Sequence, residues 1–152
     1  GIPEMYYRDE ILMKNFSSPD GLVREDFPGG WPHDTSDKFV PSGRTSLENE
    51  AFDYVSTLAH YRAHSTALQT GLLMQYVPEK GNYVYFRYDK NSTVMVVMNT
   101  NDTAQEISTA RFSERIDGFG RAKNIVTGEV LNDISSLSVP AKSTLVLELM
   151  KK

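Results

Sequence analysis

The chain has no cysteine among its 152 residues. Disulfide staples and thiolate metal centres are excluded, and the redox compartment leaves no trace in the sequence. Basic charge is short as well: 16 Lys and Arg stand against 20 Asp and Glu, a formal net charge of −4. No basic stripe is available to neutralise phosphates, so nucleic acid is not expected as a partner. Apolar runs extend only a few residues, well under the ~20 that a membrane-spanning helix needs, and no membrane partner is expected. No glycine-rich phosphate loop and no Gly-x-Ser-x-Gly nucleophile elbow occurs. No cofactor is therefore expected. An initiator methionine and a signal peptide are also missing. A matured secreted protein and a piece of a longer protein would both look this way, and the second is the expectation.

What remains is ordinary globular material, 39% hydrophobic and 24% charged. The length suits one domain, or a small domain with an appendage. The pattern changes near Thr70. Upstream, Ile2 to Tyr7 is short and largely apolar, and is expected to form a strand. Residues 14–45 then hold Pro19, Gly21, Pro28, Gly29, Gly30, Pro32, Pro41 and Gly43. A stretch this long without periodicity is uncommon in compact domains and usually carries function or disorder.

A helix is expected to follow. Thr45-Ser46-Leu47-Glu48 fits the capping box, in which threonine hydroxyl and glutamate carboxylate satisfy orphan backbone donors reciprocally. Leu47, Ala51, Phe52, Val55, Leu58, Ala59 and Arg62 recur at helical spacing. The helix should fade by His64-Ser65-Thr66.

After Gly71 the period falls from 3.6 to 2. Strands are expected over residues 73–77, 83–88, 93–99, 105–108, 122–126 and 143–149, with shorter ones over 129–131 and 137–139. Turn chemistry separates them at Glu79-Lys80-Gly81-Asn82, Asp89-Lys90-Asn91, Asn101-Asp102 and Thr127-Gly128-Glu129. Short strands this closely spaced imply a mainly β protein, an antiparallel sandwich or barrel.

The opening Gly1-Ile2-Pro3-Glu4-Met5-Tyr6-Tyr7, with Arg24-Glu25-Asp26-Phe27-Pro28-Gly29-Gly30-Trp31, resembles the last barrel strand and following loop of the α-amylase family of glycoside hydrolases. The neopullulanase and cyclomaltodextrinase branch is most similar. Leu58-Ala59-His60-Tyr61-Arg62 with Ala67-Leu68-Gln69-Thr70-Gly71 resembles the eighth barrel helix and its exit. Asn124-Ile125-Val126-Thr127-Gly128-Glu129 and the final strand resemble the family's C-terminal β domain. Two positions depart from the family: Arg8 stands where glycine is usual, and Thr66 where proline is usual.

The resemblance implies a strand–loop–helix remnant of a (β/α)8 barrel over residues 1–70, then a β-sandwich over 71–152. It implies a parent that cleaves α-glucosidic bonds with retention in starch, pullulan or cyclodextrins. In that family the three catalytic carboxylates lie on earlier strands, so no catalytic residue is expected here and the chain alone should be inactive. The parent's partner would be an α-glucan, in a periplasmic or extracellular setting. The isolated remnant is expected to self-associate through its exposed surface. The alternatives are a carbohydrate-binding module and an interaction or dimerisation domain.

Sugars offer C–H faces to aromatic rings and hydroxyls to planar polar groups. Phe27 and Trp31 could supply the rings, and Arg24 and Asp26 the polar contacts, on a loop at the end of a barrel strand where active sites are built. The same aromatic residues could instead simply pin a Pro-Gly loop, and both readings stand. Asp9, Glu10, Asp20, Glu25 and Asp26 are dense enough for a carboxylate pair, but such loop acids mostly cap turns. His60 and His64 have zinc spacing without a third ligand, and no metal is expected. Tyr83 and Tyr85 should share one strand face, with Phe86 and Tyr88 on the other.

Overall fold

The computed structural model describes residues 4–151. They divide into two compact units, the first ending at Ser56 and the second beginning at Thr57.

The second unit is a β-sandwich. Its strands are β1 (Leu72–Gln75), β2 (Asn82–Tyr88), β3 (Thr93–Asn99), β4 (Gln105–Ser108), β5 (Phe119–Asn124), β6 (Val130–Leu131), β7 (Ser136–Val139) and β8 (Ser143–Lys151). One sheet runs β1-β2-β3-β8-β5-β6, antiparallel throughout, and β4 pairs with β7 in a second small sheet. The expected mainly β, antiparallel sandwich is the observed one. Strand ends differ from expectation by a few residues, most at β5, which starts at Phe119 and ends at Asn124, where the turn begins.

Alternation explains the core. Val84 and Phe86 of β2, Met95 and Val97 of β3, and Leu147 and Leu149 of β8 face Leu137 and Val139 of β7, with Phe112 and Ile134 filling the ends. Tyr76 sets its ring edge-on against Phe112 at 4.8 Å and Phe86 at 5.9 Å. β3 reads as a nearly continuous apolar run because it is covered on both sides. Its other face, Val94 and Val96 with Val146 of β8, lies beneath Leu58, Tyr61 and Leu68. Burial there, reinforced by the charge of Glu148, pushes the Tyr61 hydroxyl well above the ordinary phenolic pKa. Asn99, buried at the end of β3, donates its amide to the carbonyls of Thr103, Val139 and Pro140 at 2.9–3.1 Å. It thereby ties the two sheets together.

Helix α1 (Ser46–His64) starts where the capping box places it. Thr45 N–H donates to Glu48 Oε2 at 2.6 Å, and Glu48 N–H donates to Thr45 Oγ1 at 3.3 Å. Lys38 Nζ adds an ion pair to the same carboxylate oxygen at 2.6 Å. The one-turn helix α2 (Thr66–Gln69) follows, capped by Ser65, whose hydroxyl accepts from Leu68 N–H. Gly71 closes that exit: a Cβ there would strike the carbonyl oxygens of Ala67 and Tyr88. A second one-turn helix, α3, spans Ser113–Ile116.

One expectation fails in the first unit. Residues 4–7 form no strand, and Ile2 and Pro3 lie outside the described residues. A strand exists only where a neighbour takes its backbone donors and acceptors, and no strand of either sheet pairs with this segment. Tyr7 and Arg8 instead enter a turn that runs into a 3-10 helix over Asp9–Ile11.

Candidate functional site

The first unit is built around the turn at residues 8–13 and the loop after it. Arg8 and Leu12 both have left-handed backbone, at φ 81° and 53°. Such conformations cost a non-glycine residue about 1 kcal/mol or more. The carbonyl of Arg8 accepts from the N–H groups of Ile11 and Met13, each at 3.2 Å. Ile11 is thereby driven inward to full burial, and the Arg8 side chain is buried with it. Arg8 thus holds a backbone conformation that glycine adopts more readily.

Tyr6, Tyr7, Arg8, Asp9, Met13, Lys14, Asn15, Leu22 and Val23 line a cleft. The Tyr6 and Tyr7 rings lie 4.7 Å apart, tilted by 42°. Glu25 reaches this wall. Its backbone oxygen accepts from the Arg8 guanidinium and from Tyr7 Oη at 3.2 Å. Its carboxylate lies 3.6 Å from Arg8 Nη2 and accepts from Asn15 Nδ2 at 3.4 Å.

The four residues singled out in sequence fall on separate supports. Arg24 is exposed and pairs with Asp20 at 2.8 Å. Asp26 is exposed. Phe27 is half-buried and packs its ring 4.5 Å from that of Phe39. Trp31 is 62% exposed, while its backbone N–H is held at 3.0 Å by Asp34 Oδ2. Among the described residues, no hydrogen bond, ion pair or ring contact joins these four side chains to one another.

The sequence reading missed Asp34. Its Oδ2 also accepts from Gly29 N–H at 2.6 Å. The backbone donors of Trp31 and then Gly29 hold the Asp34 carboxyl below the usual carboxylate range. Gly29 sits at φ 108°, and a Cβ there would meet Asp37. An acid three residues after a Pro-Gly-Gly-Trp turn is the local signal that would have found it. Beyond the loop, Arg44 is buried with its guanidinium 4.0 Å from the Phe52 ring centroid. It also donates to Asn49 Oδ1 at 2.9 Å and Lys38 O at 2.8 Å. The loop acids serve local structure: Asp9 accepts from Tyr6 N–H, Asp20 pairs with Arg24, and Glu25 with Arg8. His64 Nδ1 lies 2.8 Å from the His60 carbonyl. Among the described residues, no group of three or more His, Asp or Glu side chains is placed to hold a metal ion.

The profile described as the cyclo-malto-dextrinase C-terminal domain matches residues 73–148, half of the chain, and the chain belongs to that family. The fold is similar to that of an Anoxybacillus alpha-amylase, with a TM-score of 0.70 at 19% identity. It is also similar to that of the alpha-amylase from Geobacillus thermoleovorans solved with acarbose, with a TM-score of 0.71 at 20% identity. Each likeness covers 100% of this chain and 30% of the amylase chain. AmyP, solved in complex with maltose, matches 69% of this chain and 21% of its own length, with a TM-score of 0.60 at 18% identity. The chain therefore spans under a third of the length of the amylases it resembles.

Proposed function

We propose that this chain is the C-terminal portion of an α-glucan-degrading glycoside hydrolase. Residues 1–70 belong to the catalytic barrel, and residues 71–152 form the β domain that braces it. The observation that carries the reading is family membership over 73–148 together with a likeness that spans all of this chain but 30% of each amylase. In the intact enzyme, Arg24, Asp26, Phe27 and Trp31 contact an α-glucan. The exposed Trp31 ring on an anchored backbone supports that role. An apolar cleft of the first unit, lined by Leu12, Leu47, Ala51, Tyr54 and Val55, is covered by the rest of the barrel and drives self-association of the isolated chain.

The chain alone should release no reducing sugar from starch, pullulan or cyclodextrin, whereas the chain joined to its upstream barrel should. In that intact enzyme Trp31→Ala or Arg24→Ala lowers kcat/KM by roughly 5- to 150-fold, equivalent to ~1–3 kcal/mol, with little change in Tm. Turnover by the chain alone, lost on mutating one of its own carboxylates, would overturn the reading. Wild-type kinetics beside a lowered Tm would make the loop purely structural.

One observation favours a second reading, a carbohydrate-binding module. The Tyr83 and Tyr85 rings lie 5.6 Å apart, tilted by 37°, with Tyr85 packed against Val94, Val96 and Val146 and Tyr83 half-exposed beside it. Starch pull-down of Tyr83→Ala against wild type separates the two.

A further inference from the structure

Arg8 and Glu25 are joined more tightly than the rest of the loop requires. Arg8 is 4% exposed. Its backbone occupies the left-handed region at φ 81°, where glycine fits and a long side chain is disfavoured. A buried cation in a disfavoured backbone conformation persists only where its surroundings over-determine it. Among the described residues, the polar and ring contacts of this guanidinium are the Glu25 carbonyl, the Glu25 carboxylate at 3.6 Å and the Tyr7 ring centroid at 5.6 Å, while its Nε is buried without a hydrogen-bond partner. Tyr7 Oη and Asn15 Nδ2 close on the same glutamate from the same wall.

Glu25 lies between Arg24 and Asp26. Holding its carbonyl fixes the main chain from which both polar side chains emerge. The carboxylate, 3.6 Å from Arg8 Nη2, adds an ion pair to the same residue. A planar guanidinium can reach two acceptors at once, and an ammonium cannot hold them in the same fork.

We propose that Arg8 is a positioning residue. Its guanidinium clamps Glu25 and so sets the shape of the Arg24–Trp31 loop for the α-glucan. The consequence for sugar rests on the function proposed above, but the clamp itself can be tested without sugar. Trp31 is the one tryptophan of the chain, so its emission reports this loop alone.

In the 152-residue chain, Arg8→Gly relieves the backbone and removes the clamp. Trp31 anisotropy should fall, and amide exchange over residues 24–31 should accelerate by about tenfold or more, while β3 and β8 keep their protection. Arg8→Lys keeps the charge without the fork and recovers only part of the wild-type anisotropy. Unchanged anisotropy and exchange in Arg8→Gly would overturn the proposal. Should that variant fail to fold, Arg8→Met keeps the length of the side chain and removes both contacts to Glu25, and unchanged loop exchange there would overturn it equally. The saccharide consequence is read separately, as kcat/KM of the intact enzyme on maltodextrin. A loop freed by Arg8→Gly with kcat/KM unchanged supports the clamp and sinks the saccharide reading.

Discussion

Asn99 shows what a single buried amide can decide. One Nδ2 group serves three carbonyls, and its Oδ1 accepts from Asn101 N–H and Nδ2, each at 2.9 Å. Asn99→Asp would turn the donor into an acceptor facing three acceptors, and bury charge beside them. The expected cost is ~3 kcal/mol or more, read as a lower urea midpoint with unchanged slope. Nothing near Asn99 in the chain predicts this role, because its partners Val139 and Pro140 lie some forty positions away. Arg8 was legible as an oddity but not as a clamp, since Glu25 reaches it only through the intervening loop.

At the scale of elements, local chemistry was most readable where the structure is local. The capping box names the start of α1, and alternation names β3 and β4 to the residue. The segment before Arg8 misleads because strand character depends on a neighbour that its own residues cannot specify. The capping carboxylate also carries a pH dependence. The Lys38 ammonium, then the Thr45 N–H, hold the Glu48 carboxyl below its ordinary value. A depressed folded-state pKa gives stability that is present above the unfolded value and lost as pH falls through the folded one. The start of α1 should therefore fray on acidification into and below the usual carboxylate range. Glu48→Gln should flatten that dependence, and amide exchange at residues 45–49 measured against pH is the check. A wild-type profile in Glu48→Gln would mean that the threonine hydroxyl caps the helix unaided.

For the whole molecule, the β-sandwich should stand alone. Its strands close one core of Phe86, Met95, Val97, Leu137, Val139 and Leu147. A polypeptide beginning at Thr70 should melt cooperatively. One beginning at Thr57 should be more stable, because it keeps Leu58, Tyr61 and Leu68 over Val94, Val96 and Val146. Each large apolar side chain covered contributes about 1.5–3 kcal/mol, so the difference should reach several degrees in Tm. Equal melting points would mean that this outer cluster adds nothing. The sandwich was legible because period-2 alternation repeats strand after strand. The second, helical layer over β3 was not, since the same apolar residues would serve a helix facing any partner.

Gly71 carries a consequence for sequence drift. Its missing side chain leaves room for two carbonyl oxygens, one from α2 and one from β2, at 2.4 and 2.6 Å from where a Cβ would stand. In a library holding every single substitution, that column should be empty among survivors selected for folding. Gly128, with open space around its Cβ site, should tolerate the few residues that accept left-handed backbone. Descendants of this chain could thus change the residue at the turn after β5, but the passage from helix to sheet is closed to them.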